Sequence, residues 1–390
     1  MISSIKNFFD FESINPSIKY LSVVAFFTGF VLGYFITVIV ILQKYEGFSE
    51  STIGIIASCS PLGLISAGFI VSRVLEKLGF FKTLLLSVCF HIICIFSMFV
   101  FFNPVILAIC FFIFGFMGGL SWMTMDTWVN VVSTNSNRGK AIGIYNSAVT
   151  IGLALGPLFV GIFGVQGIIP LTLSLILLFF RLGTLILIRK HVNNVKIPIQ
   201  SKEFKLSILK ISPFIFIAIF LGGVDDSTFV SLFPAYMIND LFTDKQIGIY
   251  MFIGGIFGVI CQPLVGALTD IVSKRKILFG LLYCHILWLL ILHYSDGNIY
   301  MVLISVMVGG FASTSLYTVT LAYLGERIEV KDIAVATSIF IIVYEIGEFL
   351  GPITVGIMMD NNGNSGFIFT LLCFAIFCII VGYVRSLLRK

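Results

Sequence analysis

Charge is what this sequence has least of. Only 11% of its 390 residues are Asp, Glu, Lys or Arg, against roughly a quarter in soluble domains, so a water-soluble fold would lack the polar surface to cover its apolar bulk. The eight cysteines (Cys59, Cys89, Cys94, Cys110, Cys261, Cys284, Cys373 and Cys378) contain no C-x-x-C pair, which excludes the usual thiol metal and redox spacings and leaves them as small buried fillers. No glycine loop ending in lysine is present to cradle a phosphate, so ATP-driven work by this chain alone is not expected. Long polar stretches are missing as well. The one basic stretch of any length runs from Arg189 to Lys210, no cofactor is expected, and little room is left for a soluble catalytic domain.

What is present is apolar. Hydrophobic residues make up 58% of the chain, in unalternating runs of the roughly 20 residues that a hydrocarbon core about 30 Å thick requires. Lipid cannot satisfy backbone polar groups, so spans must be helices or a closed barrel, and such runs are not barrel strands. The pattern predicts an all-α integral membrane protein with spans at 20–42, 52–72, 83–102, 105–132, 140–164, 167–189, 212–236, 246–268, 277–295, 298–324, 333–358 and 366–386. Turn-forming clusters at Asn103-Pro104, Ser133 to Asn137, Asp296 to Asn298 and Asn361 to Asn364 mark the breaks; only Gly164 to Gly167 separates spans 5 and 6. Residues 1–18 carry Lys6, Asp10 and Glu12 without a cleavage pattern, so span 1 is expected to remain as an anchor.

Basic residues give the orientation. Of the 24 Lys and Arg, all but Lys44, Lys245 and Arg181 fall on one side of this arrangement. Positive-inside bias then predicts cytoplasmic termini and a cytoplasmic connector. The net charge of +5 is accounted for in the same way, with no nucleic-acid partner; the lipid bilayer is the expected surroundings.

Internal repetition follows next. Ile151 to Ile162 (IGLALGPLFVGI) matches Ile346 to Ile357 (IGEFLGPITVGI) at an offset of 195, and Ser49 to Ile55 (SESTIGI) matches Thr243 to Ile249 (TDKQIGI) at 194. Two six-helix halves are implied, at 1–190 and 212–390, joined by a connector at 191–211.

The loop after span 8, Gly266-Ala267-Leu268-Thr269-Asp270-Ile271-Val272-Ser273-Lys274-Arg275-Lys276, carries a glycine, an acid four residues on and a basic cluster. It resembles the short cytoplasmic signature of the major facilitator superfamily. Ser72 to Lys82 is a degenerate first-half copy, with serine for the first glycine and Glu76 for the acid. A small residue permits close helix approach and the acid can hold one conformation, so Arg73, Glu76, Arg138, Gly266, Asp270, Lys274 and Arg275 are candidate gating residues. Gly156-Pro157 and Gly351-Pro352 are bending and packing sites within spans 5 and 11. They are similar to the glycine-proline signature of superfamily antiporters, but the closing glycine pair is absent. Asp126-Thr127-Trp128-Val129-Asn130 on span 4, followed by Asn137-Arg138-Gly139, resembles a poorly characterised bacterial subgroup of the superfamily. The resemblance implies the twelve-helix major facilitator fold, a small-molecule substrate and a monomer in the bacterial inner membrane.

Ionisable groups deep in the bilayer are costly unless paired, protonated or solvated, and so mark function. Asp225 and Glu345 lie roughly 18–20 Å along their helices, near mid-membrane, with Asp226 and Glu348 beside them. Their repeat mates are not acidic, which is the asymmetry expected of a binding site on a repeated scaffold. Four such carboxylates cannot all stay ionised in a low-dielectric cavity, so protons are the expected coupling partner. Asp126 lies toward the cytoplasmic face, where gating and substrate contact are both open; Trp122 and Trp128 can stack on a substrate or anchor at the interface. Arg181 is expected to snorkel or to pair structurally. His91, His285 and His293 stand in or beside spans 3 and 9, which the resemblance places at the periphery. The expected function is secondary transport of a small solute by alternating access, coupled to protons as a symporter or antiporter, and not an enzyme. The alternative is a membrane-embedded sensor or lipid-modifying enzyme on a transporter-like scaffold.

Overall fold

The computed structural model describes residues 16–133, 138–192, 209, 212–328 and 333–387. Among them every regular element is a helix, and twelve helices are long and apolar enough to cross a membrane. Spans 1 to 6 are Pro16–Tyr45, Glu50–Gly68, Val71–Val100, Pro104–Val132, Arg138–Phe163 and Ile169–Val192. Spans 7 to 12 are Pro213–Ser231, Asp244–Ile271, Lys274–His293, Ile299–Arg327, Ile333–Asn362 and Asn364–Leu387.

The turn residues act as caps and breaks. Asn103 accepts a hydrogen bond from the Ile106 nitrogen at 3.1 Å with Pro104 in the first helical turn, where its missing N–H costs nothing. Thr243 and Gln246 form a reciprocal capping box at the start of span 8. Spans 5 and 6 separate cleanly because Gly164 and Gly167 adopt φ of 70° and 64°, conformations that favour glycine.

Two boundaries differ from expectation. The stretch 72–82 was expected as a loop; it is helical up to a turn at Gly79, where φ is 73°. Span 7, expected to run to 236, is interrupted at Leu232 and resumes as the short helix Phe233–Asn239. Pro234 stands in the first turn of the resumed helix, where its missing N–H costs nothing, so the break falls where the proline is tolerated.

The chain packs as two compact units. One comprises the described parts of Met1–Phe35, Gly63–Gly156 and Gln166–Ser201; the other comprises those of Ile36–Leu62, Pro157–Val165 and Lys202–Lys390. The core of the first contains Leu21, Leu84, Val88, Trp128, Tyr145 and Leu185. The core of the second contains Ile215, Leu278, Leu282, Leu316, Val319 and Phe340. Lipid tails are as apolar as these side chains, so helix association depends on close packing rather than on escape from water. Glycine supplies the closeness. A Cβ on Gly156 would overlap the Tyr34 backbone nitrogen, and one on Gly351 would lie 2.9 Å from Val224 Cα. Both glycines were singled out in sequence, beside Pro157 and Pro352, which lie inside continuous helices.

Candidate functional site

In the second unit, spans 7 and 11 cross so closely that Gly347 faces the Phe220 carbonyl and Gly223 the Tyr344 carbonyl. That crossing brings together the acids on the two helices. Asp226 accepts hydrogen bonds from Ser313 Oγ at 2.7 Å and from the Tyr344 hydroxyl at 2.6 Å. Glu345 and Glu348, one turn apart on span 11, hydrogen-bond to each other, and Asp226 acts electrostatically on Glu348. Two carboxyl groups can bond in this way only with a proton between them. Glu345 is 8% exposed, and its Oε2 has no partner among the described residues.

Asp225 faces elsewhere, because consecutive helical residues point about 100° apart. One of its oxygens lies 2.9 Å from His285 Nδ1 on span 9, both side chains being almost wholly buried. The Trp288 indole N–H reaches the same nitrogen at 3.1 Å. A single Nδ1 cannot donate to Asp225 and accept from Trp288 at once, so the position of one proton selects the bond that forms. Sequence reasoning set His285 aside as peripheral and did not consider Ser313 or Tyr344. A signal existed for the histidine: His285 stands 194 residues after His91, the repeat offset.

In the first unit, Trp122 and Tyr145 face the half-buried Asp126 carboxyl. Trp128 is fully buried, its ring 6.0 Å from that of Phe80. Arg181 does not snorkel. It is 1% exposed and donates to Ser121 Oγ at 2.6 Å and to His91 Nδ1 at 3.0 Å, with no acid as partner among the described residues.

Of the candidate gating residues, Arg73 and Glu76 are exposed. Lys274 lies 3.3 Å from Glu326 and donates to the Thr269 carbonyl, while Arg275 donates to the Gly382 carbonyl at 2.7 Å. Gly266 accepts from the Thr269 hydroxyl. The side chains of Arg138 and Asp270, and most of the 191–211 connector, lie outside the described residues.

The opposite helix ends carry a network that sequence reading did not find. Tyr45 donates to Asp244 and Asn239 to Glu50. At the 194-residue offset Tyr45 is the mate of Asn239 and Glu50 the mate of Asp244, so the two bonds are reciprocal copies. Lys44 also pairs with Glu50, and Asp360 accepts from the backbone nitrogens of Glu50 and Ser51. Nearby, outside the spans, burial pushes the Asp240 carboxyl above its ordinary value, against the pull of hydrogen bonds from Asn364 and Tyr236.

Known proteins share this architecture. The family model for the Major Facilitator Superfamily matches residues 21–292 and 215–389. An uncharacterised MFS-type transporter of Enterobacter sp. (strain 638) is 22% identical over 91% of this chain and 90% of its own length. YfkF of Bacillus subtilis (strain 168), also described as an uncharacterised MFS-type transporter, is 22% identical over 88% of this chain and 89% of its own. Among solved structures, the nucleoside transporter NupG superposes with a TM-score of 0.76 at 17% identity, covering 96% of this chain and all of NupG. A bacterial homologue of the human lysosomal transporter Spinster gives 0.73 at 12% identity, covering 95% of each chain. At these identities the structural likeness is one of fold.

Proposed function

The chain belongs to the Major Facilitator Superfamily, and from that premise we propose that it is a secondary transporter that moves a small solute by alternating access coupled to protons. The family and its fold place it among multi-pass membrane transporters. The proposal adds the coupling ion and the mechanism. Residues 1–190 and 212–390 would act as the two rocking halves around the connector at 191–211. Basic-residue bias supports cytoplasmic termini and the bacterial relatives support an inner-membrane location, where the chain would act as a monomer.

The carrying observation is the carboxyl cluster. Asp226 is held by Ser313 and Tyr344, Glu345 and Glu348 bond to each other, and Asp225 is set against His285. Buried carboxyl groups that can trade one proton among defined partners are the parts of a proton carrier. Four acids facing a single histidine among the described residues favour a cationic or neutral solute. Asp225 and Glu345 would carry the coupling proton, with Asp226 and Glu348 adjusting them. The Lys274 and Arg275 contacts would brace the cytoplasmic gate with Arg73, Glu76, Arg138, Gly266 and Asp270.

The test is reconstitution in proteoliposomes, with a library of amines and neutral solutes and an imposed pH jump. Asp225→Asn and Glu345→Gln should each abolish gradient-driven accumulation. Exchange of solute down its own gradient should persist, because an amide mimics the protonated acid. Accumulation that survived every single neutralisation would refute proton coupling through these groups.

A further inference from the structure

Asp225 and His285 touch without forming an aligned hydrogen bond. Asp225 Oδ2 lies 2.9 Å from His285 Nδ1, with both side chains almost wholly buried, yet both Asp225 oxygens and the ring's Nε2 have no hydrogen-bond partner among the described residues. What occupies Nδ1 is the indole of Trp288, one turn further along span 9, whose N–H donates to it at 3.1 Å. An indole nitrogen only donates, so Nδ1 is accepting and carries no proton. An imidazolium would set two N–H groups against each other there. The histidine is therefore neutral, with its proton on Nε2. A carboxylate beside it would be a buried charge facing a lone pair, with no donor to satisfy it. Asp225 is accordingly the neutral acid in this conformation.

Trp288 is itself held by spans 10 and 12. The Ser305 hydroxyl donates to its carbonyl at 2.9 Å, and Gly309 lies so close that a Cβ there would sit 3.0 Å from the indole Cδ2. Phe367 meets the indole edge to face, with ring centroids 6.4 Å apart. None of these three is ionisable, and the place of the indole depends on how span 10 lies against span 9. On span 7 the neighbouring Asp226 and Asp225 interact electrostatically. Span 11 sets Tyr344, Glu345 and Glu348 to act on Asp226 and on one another.

We propose that Trp288 is a positioning residue for the coupling proton: while its N–H occupies His285 Nδ1 the proton stays on Asp225, and when the indole withdraws His285 takes it. The inference rests on the reading of Asp225 as a proton carrier. The step balances within the pair. The carboxyl O–H bond breaks, an Nδ1–H bond forms, and the products are a carboxylate and an imidazolium paired across the same contact. A proton lost from Nε2 to water then returns the ring to neutrality, so the imidazole takes a proton on one side and gives one up on the other.

Infrared spectroscopy of the purified full-length protein reads the carboxylic acid C=O band, and the part of that band missing from Asp225→Asn belongs to Asp225. At neutral pH the wild type should show this component. Trp288→Phe should lower the ratio of acid to carboxylate at Asp225 by about tenfold or more, the equivalent of the one buried hydrogen bond that no longer competes for Nδ1. Acidification should bring the component back, as the carboxylate takes a proton of its own. Adding His285→Gln to Trp288→Phe should also restore it, because an amide does not accept the proton; a merely structural tryptophan would give no such rescue. Gly309→Ala displaces the indole without removing it and should act in the same direction, which keeps the test open if Trp288→Phe does not fold. A wild type without the Asp225 component overturns the proposal, as does an unchanged component in whichever variant folds or a failure of His285→Gln to restore it. No transport is measured, so failure here and failure of proton coupling in proteoliposomes are separate results.

Discussion

Asp360, at the end of span 11, sets its carboxylate oxygens 2.8 and 3.2 Å from the backbone nitrogens of Glu50 and Ser51 at the start of span 2. Those nitrogens are among the donors that a helix start leaves without partners. The local cap is weak, with Ser49 Oγ 3.3 Å from the Thr52 nitrogen, so an acid 310 residues away does much of the capping. Losing a side-chain cap costs about 0.5–2 kcal/mol, and losing a negative charge at the positive helix end about 0.3–1 kcal/mol. Asp360 is exposed, and solvent screens it, so Asp360→Ala should cost about 1–2 kcal/mol and raise local opening about 5- to 30-fold. Hydrogen–deuterium exchange of the peptide covering residues 49–56 reads this directly. Asp360→Asn should give a smaller increase, since its amide oxygen still accepts one bond. The repeat-related start of span 8 is an internal control, because its own Thr243–Gln246 capping box holds it and its exchange should not change. Unchanged exchange at residues 49–56 in Asp360→Ala, or equal acceleration at both helix starts, would refute the reasoning.

Two further outcomes are expected. A cysteine placed at Ser201 in a variant lacking the native thiols should be labelled only from the cytoplasmic side, and labelling from outside would invert the topology derived from basic-residue bias. Gly351→Leu should lower the melting temperature by the equivalent of about 1–3 kcal/mol of overpacking, because even a Cβ there would lie 2.9 Å from Val224 Cα and 3.2 Å from Ser227 Oγ; Gly143→Ala, which meets nothing within 4 Å, should be neutral or slightly stabilising.

Class, span count and repetition were legible because they depend on local physics. A hydrocarbon layer demands a fixed length of apolar helix wherever it occurs, so the twelve spans could be counted along the chain. Gly164 and Gly167 were read as a weak separator and proved sufficient, since two positive-φ residues end a helix whatever surrounds it. Gly156 and Gly351 were readable as packing positions for a similar reason, as a repeated glycine beside proline in an apolar run has few other uses. Span 7 was misjudged at Leu232, where the apolar pattern ran on through a break that places Pro234 in the first turn of a new short helix.

By itself the sequence determined that this chain lives in a membrane, that Asp225, Asp226, Glu345 and Glu348 lie in one half of a repeated scaffold, and that Asp225 and Asp226 point in different directions. Only the tertiary structure decided what each of them meets. Asp226 found Ser313 and Tyr344, Asp225 found His285, and Arg181 found neutral acceptors instead of an acid. Tyr45 and Asn239 became a reciprocal pair of ties with Asp244 and Glu50. The physical reason is that a helix's period and length are set by its own residues, whereas the partner of a buried polar group is set by the rotation and crossing of helices far apart in the chain.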